Sequence, residues 1–373
     1  MILQVNKMYY PDIGGVETTV QCYSEYLSRF ENVVVLCIHK SATFKTKVQH
    51  INGVTVYRCS SLGTFMSMPL SLSFFWYLFK LSRKARVIHF HEPFPLASIG
   101  SFLVPKRRRI IVTWHSDIVR QKLFRRVAEF FQVRLCKRAD KLIATSERIV
   151  EYSRILKKFK HKVTVIPLSI DSEKYKSTSS KEVIGQDILN LPEDYVLFFG
   201  RLSYYKGLDV FLRAIDDIEK DIPFVIAGTG EMEEIVREKL RESRRQVYFI
   251  NRTISEEEKR LLIQRSKFLV FPSTMPSEAF GIVQLEAMVY GKPVINTNLP
   301  TGVPWVSLHN VSGLTVEPGD AVQLARAIEE LYFNEELYNR LSRGALERFH
   351  SMFDSRVTLA QLHELYFSEG TDK

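Results

Sequence analysis

Residues 268–293 restrict the possible folds of this chain more than any other stretch. Phe268-Leu269-Val270-Phe271 is a continuous apolar run that stops at Pro272. A run too short for a helix, apolar at every position and closed by a breaker, fits a strand covered on both faces, as in a parallel sheet. After a short loop, Gly281 opens a stretch in which Ile282, Val283, Leu285, Ala287 and Met288 recur at helical spacing and which closes at Gly291 before Pro293. That is a helix with a permissive start and a glycine stop. A strand that feeds a helix through a polar loop is the repeating piece of an α/β fold. The 373 residues, 45% of them apolar, are enough for two such domains.

The loop of this unit carries chemistry. Glu278 lies just before the helix and Glu286 about one and a half turns inside it. Between them the N–H groups of Gly281, Ile282 and Val283 face the same cleft, where the positive end of a helix favours an anion. A carboxylate, a phosphate-sized anion site and a second carboxylate suit a sugar, a diphosphate and a ribose. Two isolated glutamates would be no more than solvated helix charges.

Other strand ends bear comparable groups. Residues 2–8 read as the first strand, and Gly14-Gly15 follows before a helix from about Thr18, so that backbone can approach a ligand closely. The pair does not fit G-x-G-x-x-G, which argues against a dehydrogenase. A strand over 110–114 sets His115 at a C-terminal strand end, where open α/β sheets hold their chemistry, although a lone histidine is more often a satisfied structural residue. A strand over 195–199 leads to Gly200-Arg201 and, five residues on, Lys206-Gly207, before a helix over 208–218. Arg201 offers a planar fork for phosphate oxygens and Lys206 a point charge. Residues 224–227 lead to Gly228-Thr229-Gly230, glycines where a nucleotide could approach. Residues 247–250 lead to Asn251-Arg252-Thr253-Ile254. Ser255 with Glu256, Glu257 and Glu258 reads as a helix cap and acidic first turn. Further strands are expected at 33–38, 54–58, 87–91, 142–146, 163–167 and 294–295, and helices over 335–350 and 354–367.

Glu278-x7-Glu286 with Phe280-Gly281 between them resembles the signature of the retaining glycosyltransferases of glycosyltransferase family 4. Gly200-Arg201-x4-Lys206-Gly207 resembles that family's diphosphate clamp, and residues 163–171 resemble its V-I-P-N-G-I-D stretch, with Leu168 and Ser169 in place of Asn and Gly. The resemblance spans nearly the whole chain. It implies a GT-B fold, two Rossmann-like doubly wound domains facing a central cleft: an acceptor-side domain over 1–172, a donor domain over 173–350 and a final helix in 351–373 that crosses back. It implies that Glu278 contacts the donor sugar and Glu286 the nucleotide ribose, and that Ala279, Phe280, Gly281, Ile282 and Val283 bind the donor. Gly15 would lie under the diphosphate, Gly230 and Ile254 near the base, and His115 beside the donor sugar, helping to hold the leaving diphosphate. Arg201 and Lys206 would stabilise that leaving group. No two aspartates are separated by one residue, so no Asp-x-Asp metal motif exists, and neither metal nor cofactor is expected, the nucleoside-diphosphate sugar being a substrate. GDP-mannose is the expected donor, by likeness to bacterial mannosyltransferases of O-antigen and lipopolysaccharide assembly, with a UDP-sugar as the alternative.

Charge is unevenly divided: residues 1–170 carry a net +18 and the remainder −8, within a total of +10. Such asymmetry implies an anionic partner for the N-terminal half. Nucleic acid is the weaker candidate, because no recognised binding motif accompanies the charge. A polyprenyl-diphosphate-linked acceptor at an anionic membrane surface fits better. Residues 59–79 are uncharged and rich in Phe, Trp and Tyr, but Gly63, Pro69 and five serines oppose a membrane span. The stretch predicts a loop and then an amphipathic helix over about 69–84, either packed on the sheet or laid on a bilayer. Arg120, Lys122, Arg125, Arg126, Arg134, Lys137, Arg138 and Lys141 continue the basic character. Cys22, Cys37, Cys59 and Cys136 lack disulfide or metal spacing, and a strand-like start leaves no room for a signal peptide, so a cytoplasmic chain bound to the inner face of the membrane is expected. Two other readings stay open: a nucleotide-sugar epimerase on the same scaffold, and a non-catalytic binder using the basic face.

Overall fold

The computed structural model describes residues 1–12, 14–65, 68–118, 122–176, 184–242 and 245–367. Two compact units form: Met1–Pro167 with Thr358–Lys373, and Leu168–Val357. The division falls at Pro167 and not near 172. Ile170 bridges to Asp354 and the Ser172 hydroxyl donates to Asp354 at 2.7 Å, which ties residues 170–172 into the second unit and extends that unit past 350.

In the first unit, strands β1 (Ile2–Val5), β2 (Val33–Ile38), β3 (Lys47–Ile51), β4 (Val54–Cys59), β5 (Val87–Glu92), β6 (Arg109–Trp114), β7 (Lys141–Ala144) and β8 (Val163–Val165) form one sheet in the order β8-β7-β6-β5-β1-β2-β4-β3. Every pairing is parallel except β3 with β4. The central strands are buried along their length; β2 is apolar throughout, whereas β1 carries Gln4 and β5 carries His89, His91 and Glu92. The antiparallel β3 was not expected: three of its five residues are exposed, so it lacks an apolar run. Leu3, Val5, Ile88, Phe90 and Val112 pack on one face of the sheet; Ile2, Val33, Val35, Val87 and Ile111 pack on the other, beside Leu362 and Tyr366 of the last helix, Ser355–Phe367. After β1 the chain winds outward to β4, then returns to place β5 on β1's other side. That reversal makes the C-terminal ends of β1 and β5 a topological switch point.

The helix after β1 is Gly15–Leu27, beginning three residues earlier than Thr18, because Gly14 is fully extended and serves as its N-cap. Arg58 donates to the carbonyls of Tyr9 and Tyr10 and pairs with Asp12, holding the loop that precedes it. The aromatic helix is Ser73–Ser82, shorter than 69–84, because the Ser71 hydroxyl accepts from Phe74 N and Pro69 belongs to a two-residue ladder. Phe74, Leu78 and Leu81 face the core, whereas Trp76 and Phe79 stay exposed, with Lys80 and Arg83 over their rings.

The second unit holds β9 (Tyr195–Phe199), β10 (Phe224–Ala227), β11 (Val247–Ile250), β12 (Ser266–Phe271), β13 (Val294–Thr297) and β14 (Gly313–Val316), all parallel, in the order β11-β10-β9-β12-β13-β14. Its switch point lies between β9 and β12. Both sheets are therefore Rossmann-like, as the sequence predicts.

Candidate functional site

In the second unit the loops after β9 and β12 are stitched together. Thr274 N donates to Tyr205 O at 2.9 Å across them, and within the second loop Glu278 N donates to Met275 O at 3.0 Å. This stitching brings Lys206 Nζ to 2.5 Å from Glu278 Oε2, with both side chains more than four-fifths buried. The ammonium also lies 4.9 Å from the centre of the Phe271 ring. Arg201 is exposed, and its guanidinium has no partner among the described residues. A paired lysine and carboxylate, with a planar cation on the same loop that has no partner among the described residues, can meet a polyanion and a hydroxyl-bearing group.

The helix after β12 runs Ile282–Met288, and Gly281 is its N-cap at φ 79°. A Cβ at Gly281 would sit 2.6 Å from the Phe271 ring, so only glycine fits that turn. Phe280 is buried; Ala279, Ile282 and Val283 are half-buried, and Ala279 O accepts from Gly302 N. Gln284 holds the helix by donating to the carbonyls of Phe280 and Val303, and Asn296 donates to the Gln284 oxygen at 3.0 Å. Neither amide was singled out in the sequence.

Glu286 does not share the partner of Glu278. It accepts from Lys259 Nζ at 2.8 Å and from Tyr175 Oη at 3.0 Å. Burial pulls the Lys259 ammonium down, but the carboxylates of Glu286 and Glu256 outweigh it and the net shift is upward. Burial raises the Tyr175 phenol, and the Glu286 charge raises it further. Lys259 sits in a run of charges, Glu256 to Arg260, that reads as solvated helix surface, so sequence offered no sign of its role.

The close approach at Gly230 is made by the chain itself: a Cβ there would meet the Leu202 backbone at 2.3 Å. Gly230 N donates to Glu233. Ile254 is half-buried, and Ser255 and Glu258 after it form a full capping box, as expected. Arg252 joins Glu258 to Asp187. Those two acceptors raise its guanidinium, while Arg252 holds Glu258 down to about 2.

In the first unit, Gly15 is exposed at the start of its helix, beyond β1. His115 follows β6, and its backbone N donates to Glu92 O. It is 5% exposed; burial holds its imidazole down to about 3, so the ring is neutral. His115 Nε2 lies 3.1 Å from His91 Nδ1, while His115 Nδ1 is buried with no hydrogen-bond partner among the described residues. Some of the basic surplus is structural. Arg138 donates to the carbonyls of Ser101, Val104 and Pro105, Arg109 to those of Leu365 and Tyr366, and Lys162 to those of Lys137 and Ala139. Arg134 stacks on Phe102 and Phe130, both exposed. Arg120 and the side chains of Lys122 and Arg125 lie outside the described residues.

Residues 180–348 match the family model described as glycosyl transferases group 1, and residues 13–174 match glycosyltransferase family 4. The chain is 30% identical to the O-antigen chain mannosyltransferase C of Escherichia coli over 98% of its own length and 97% of that protein's. It is 29% identical to the D-rhamnosyltransferase WbpZ of Pseudomonas aeruginosa, covering 94% and 92% of the two chains. Among solved structures, sucrose-phosphate synthase from Thermosynechococcus elongatus superposes with a TM-score of 0.74 at 19% identity, covering 98% of each chain. Anabaena HepE, solved with UDP, gives 0.73 at 20%, covering 99% of this chain and 100% of that one. The fold is GT-B, and the chain belongs to the glycosyltransferases that pair a family 4 domain with a group 1 domain.

Proposed function

We propose that this glycosyltransferase is a retaining, metal-independent hexosyltransferase, an α-mannosyltransferase that moves mannose from GDP-mannose to a polyprenyl-diphosphate-linked saccharide ending in N-acetylglucosamine, in bacterial O-antigen or related polysaccharide assembly. The pairing of Lys206 with Glu278, on a loop whose exposed Arg201 has no partner among the described residues, carries this reading. Arg201 and Lys206 neutralise the departing diphosphate, the task a metal ion performs elsewhere. Glu278, held by Lys206, accepts hydrogen bonds from the donor sugar, and Glu286 accepts them from the ribose. In a front-side displacement the bond from the anomeric carbon to the diphosphate oxygen breaks as the bond to the acceptor oxygen forms on the same face. The acceptor's proton passes to the leaving diphosphate, and no carboxylate nucleophile is needed. Mannose is favoured by the E. coli relative, named for O-antigen mannosyl transfer; the Pseudomonas relative makes D-rhamnose the second choice of sugar.

A place at the inner face of the membrane is supported by the exposed Trp76, Phe79, Phe102 and Phe130 beside Lys80, Arg83 and Arg134. Among the described residues no helix is long and apolar enough to cross a membrane. Flotation with anionic liposomes at low salt tests the placement; protein left at the bottom of the gradient refutes it.

The deciding experiment incubates the protein, in EDTA, with GDP-mannose, UDP-glucose or UDP-N-acetylglucosamine and a lipid-diphosphate-linked N-acetylglucosamine. A product heavier by one hexose with GDP-mannose alone is expected. Turnover only with a UDP-sugar overturns the donor, and turnover only after metal is restored overturns metal independence.

A further inference from the structure

A file of buried polar side chains crosses the first sheet on the face that carries Tyr23 and the last helix. Gln4 of β1 lies opposite His89 of β5, and His91 of β5 opposite Thr113 of β6. His89 and His91 are two residues apart and share that face. Starting from the end of β6, His115 Nε2 meets His91 Nδ1 at 3.1 Å, and His91 Nε2 meets Gln4 Oε1 at 2.9 Å. Gln4 Nε2 then meets Tyr366 Oη at 3.0 Å, Tyr366 Oη meets His89 Nδ1 at 2.5 Å, and His89 Nε2 meets Thr113 Oγ1 at 2.7 Å. All six side chains are buried.

Counting protons gives the file a direction. The amide oxygen of Gln4 only accepts, so His91 carries its proton on Nε2. Burial keeps the three imidazoles neutral, each with one N–H. His91 Nδ1 is then a lone pair, and His115 must donate to it from Nε2. The proton of His115 is thereby committed, and its Nδ1 is bare. On the other side, the Gln4 amide N–H donates to Tyr366, Tyr366 donates to His89, and His89 donates to Thr113. Turning the Gln4 amide over would reverse every donor and leave a proton on His115 Nδ1. The two orientations therefore demand opposite tautomers of the residue at the strand end.

We propose that Gln4, acting through His91, is a positioning residue that fixes His115 as the Nε2-protonated tautomer, so that Nδ1 accepts a hydrogen bond from a ligand hydroxyl. This rests on the reading of His115 as a sugar-contacting group. It also revises that reading. A bare nitrogen repels the oxygens of an ionised diphosphate, so His115 selects a hydroxyl of the sugar or of the acceptor and does not hold the leaving group. The buried, unpartnered Nδ1 is what such a device requires before its ligand arrives.

The test is a long-range proton–nitrogen correlation spectrum of the whole protein carrying 15N-histidine, recorded above pH 7 without substrate, with His115 assigned by its loss in His115→Gln. The expected signature is a pyridine-type Nδ1 and a pyrrole-type Nε2. Gln4→Met, close in volume, removes the acceptor for His91 Nε2–H. It should move His115 toward the Nδ1-protonated form and lower turnover roughly tenfold to a hundredfold with little change in donor KM. A pyrrole-type Nδ1 in the wild-type protein overturns the proposal, and so does a Gln4→Met variant that loses turnover while His115 keeps its signature. If that variant does not fold, the wild-type spectrum alone decides. Because the spectra need no turnover, a failed transferase assay and a wrong tautomer are separate results.

Discussion

Both units bury polar groups, but in opposite electrical states. In the first, Gln4, His89, His91, His115, Thr113 and Tyr366 form a neutral file with no carboxylate in it. In the second, Lys206 with Glu278 and Lys259 with Glu286 form two largely buried ion pairs. A neutral file fixes the direction in which hydrogen bonds are offered and suits hydroxyl groups. Ion pairs keep charge available in a site of low polarity and suit a ligand that brings charge of its own. Under the proposed function, the neutral file offers an acceptor to a single ligand hydroxyl, whereas the ion pairs of the second unit meet the charged diphosphate together with sugar and ribose hydroxyls.

The largest effect is expected from Glu278→Ala. It removes the carboxylate proposed to accept hydrogen bonds from the donor sugar and leaves Lys206 without its counter-charge, so turnover should fall by about a hundredfold to a thousandfold. Far-UV circular dichroism should be unchanged, and wild-type rates would sink the assignment of the sugar site to the second unit. Lys259→Met comes next. It keeps the apolar stem but strands a buried Glu286, and breaking a buried pair from one side costs about 3 kcal/mol. Denaturant midpoints measure this, and adding Glu286→Leu should recover most of the loss. If the single variant is as stable as wild type, the pair is not structural.

Much of the second unit was legible because its site residues are close in sequence to the strand ends that place them. Arg201 and Lys206 follow β9, Glu278 follows β12, and the strand-loop-helix grammar is local. What stayed hidden was the pairing: Lys259 is 27 residues from Glu286 and looks like surface, and Tyr175 is 111 residues away. The first unit hides more. His115 was recognisable by position, but its partners lie across the chain, with Gln4 and Tyr366 separated by 362 residues. Gln4 sits in an apolar strand where a single amide carries no pattern, and only strand register shows that it faces His89. The basic surplus misled in part, because composition cannot distinguish an arginine that caps carbonyls, such as Arg138, from one that faces a ligand.

Arg201→Lys separates fork from charge. Lysine keeps the positive charge but loses the bidentate geometry that suits phosphate oxygens. With no partner among the described residues to lose, stability should change by less than about 0.5 kcal/mol, as for an ordinary surface substitution. Turnover should drop roughly tenfold, corresponding to about 1.4 kcal/mol of leaving-group stabilisation. A stability loss larger than the activity loss would show that Arg201 belongs to the fold and not to the diphosphate.

The smallest effect separates the units by pH. Burial lowers His89 and His115 to about 3 and His91 in the same direction, from an ordinary 6.5. The unfolded chain therefore takes up these protons first, so this stability is complete above pH 6.5 and is lost as pH falls toward 3. Glu92 acts oppositely. Burial raises it to about 7 from 4.5, against the hydrogen bonds from Gln132, Ser98 and Phe94, so its contribution is present at low pH and lost as pH rises through 7. Between pH 7 and 6 the three histidines outweigh the one carboxyl, and the first unit should lose a net of about 1 kcal/mol, more steeply below pH 6. In the second unit Glu258 is held at about 2 by Arg252, and Asp354 is lowered despite its burial by bonds from Arg356 and Ser172. Both contributions persist until pH falls below the ordinary carboxyl range, so that unit should be flat from 7 to 6. Trp76 and Trp114 report on the first unit in a Trp305→Phe variant, and Trp305 reports on the second when the other two are replaced by Phe. A first-unit urea midpoint that holds steady from pH 7 to 6 would mean that the histidine file is not buried and neutral, and the electrical contrast between the two sheets would fall with it.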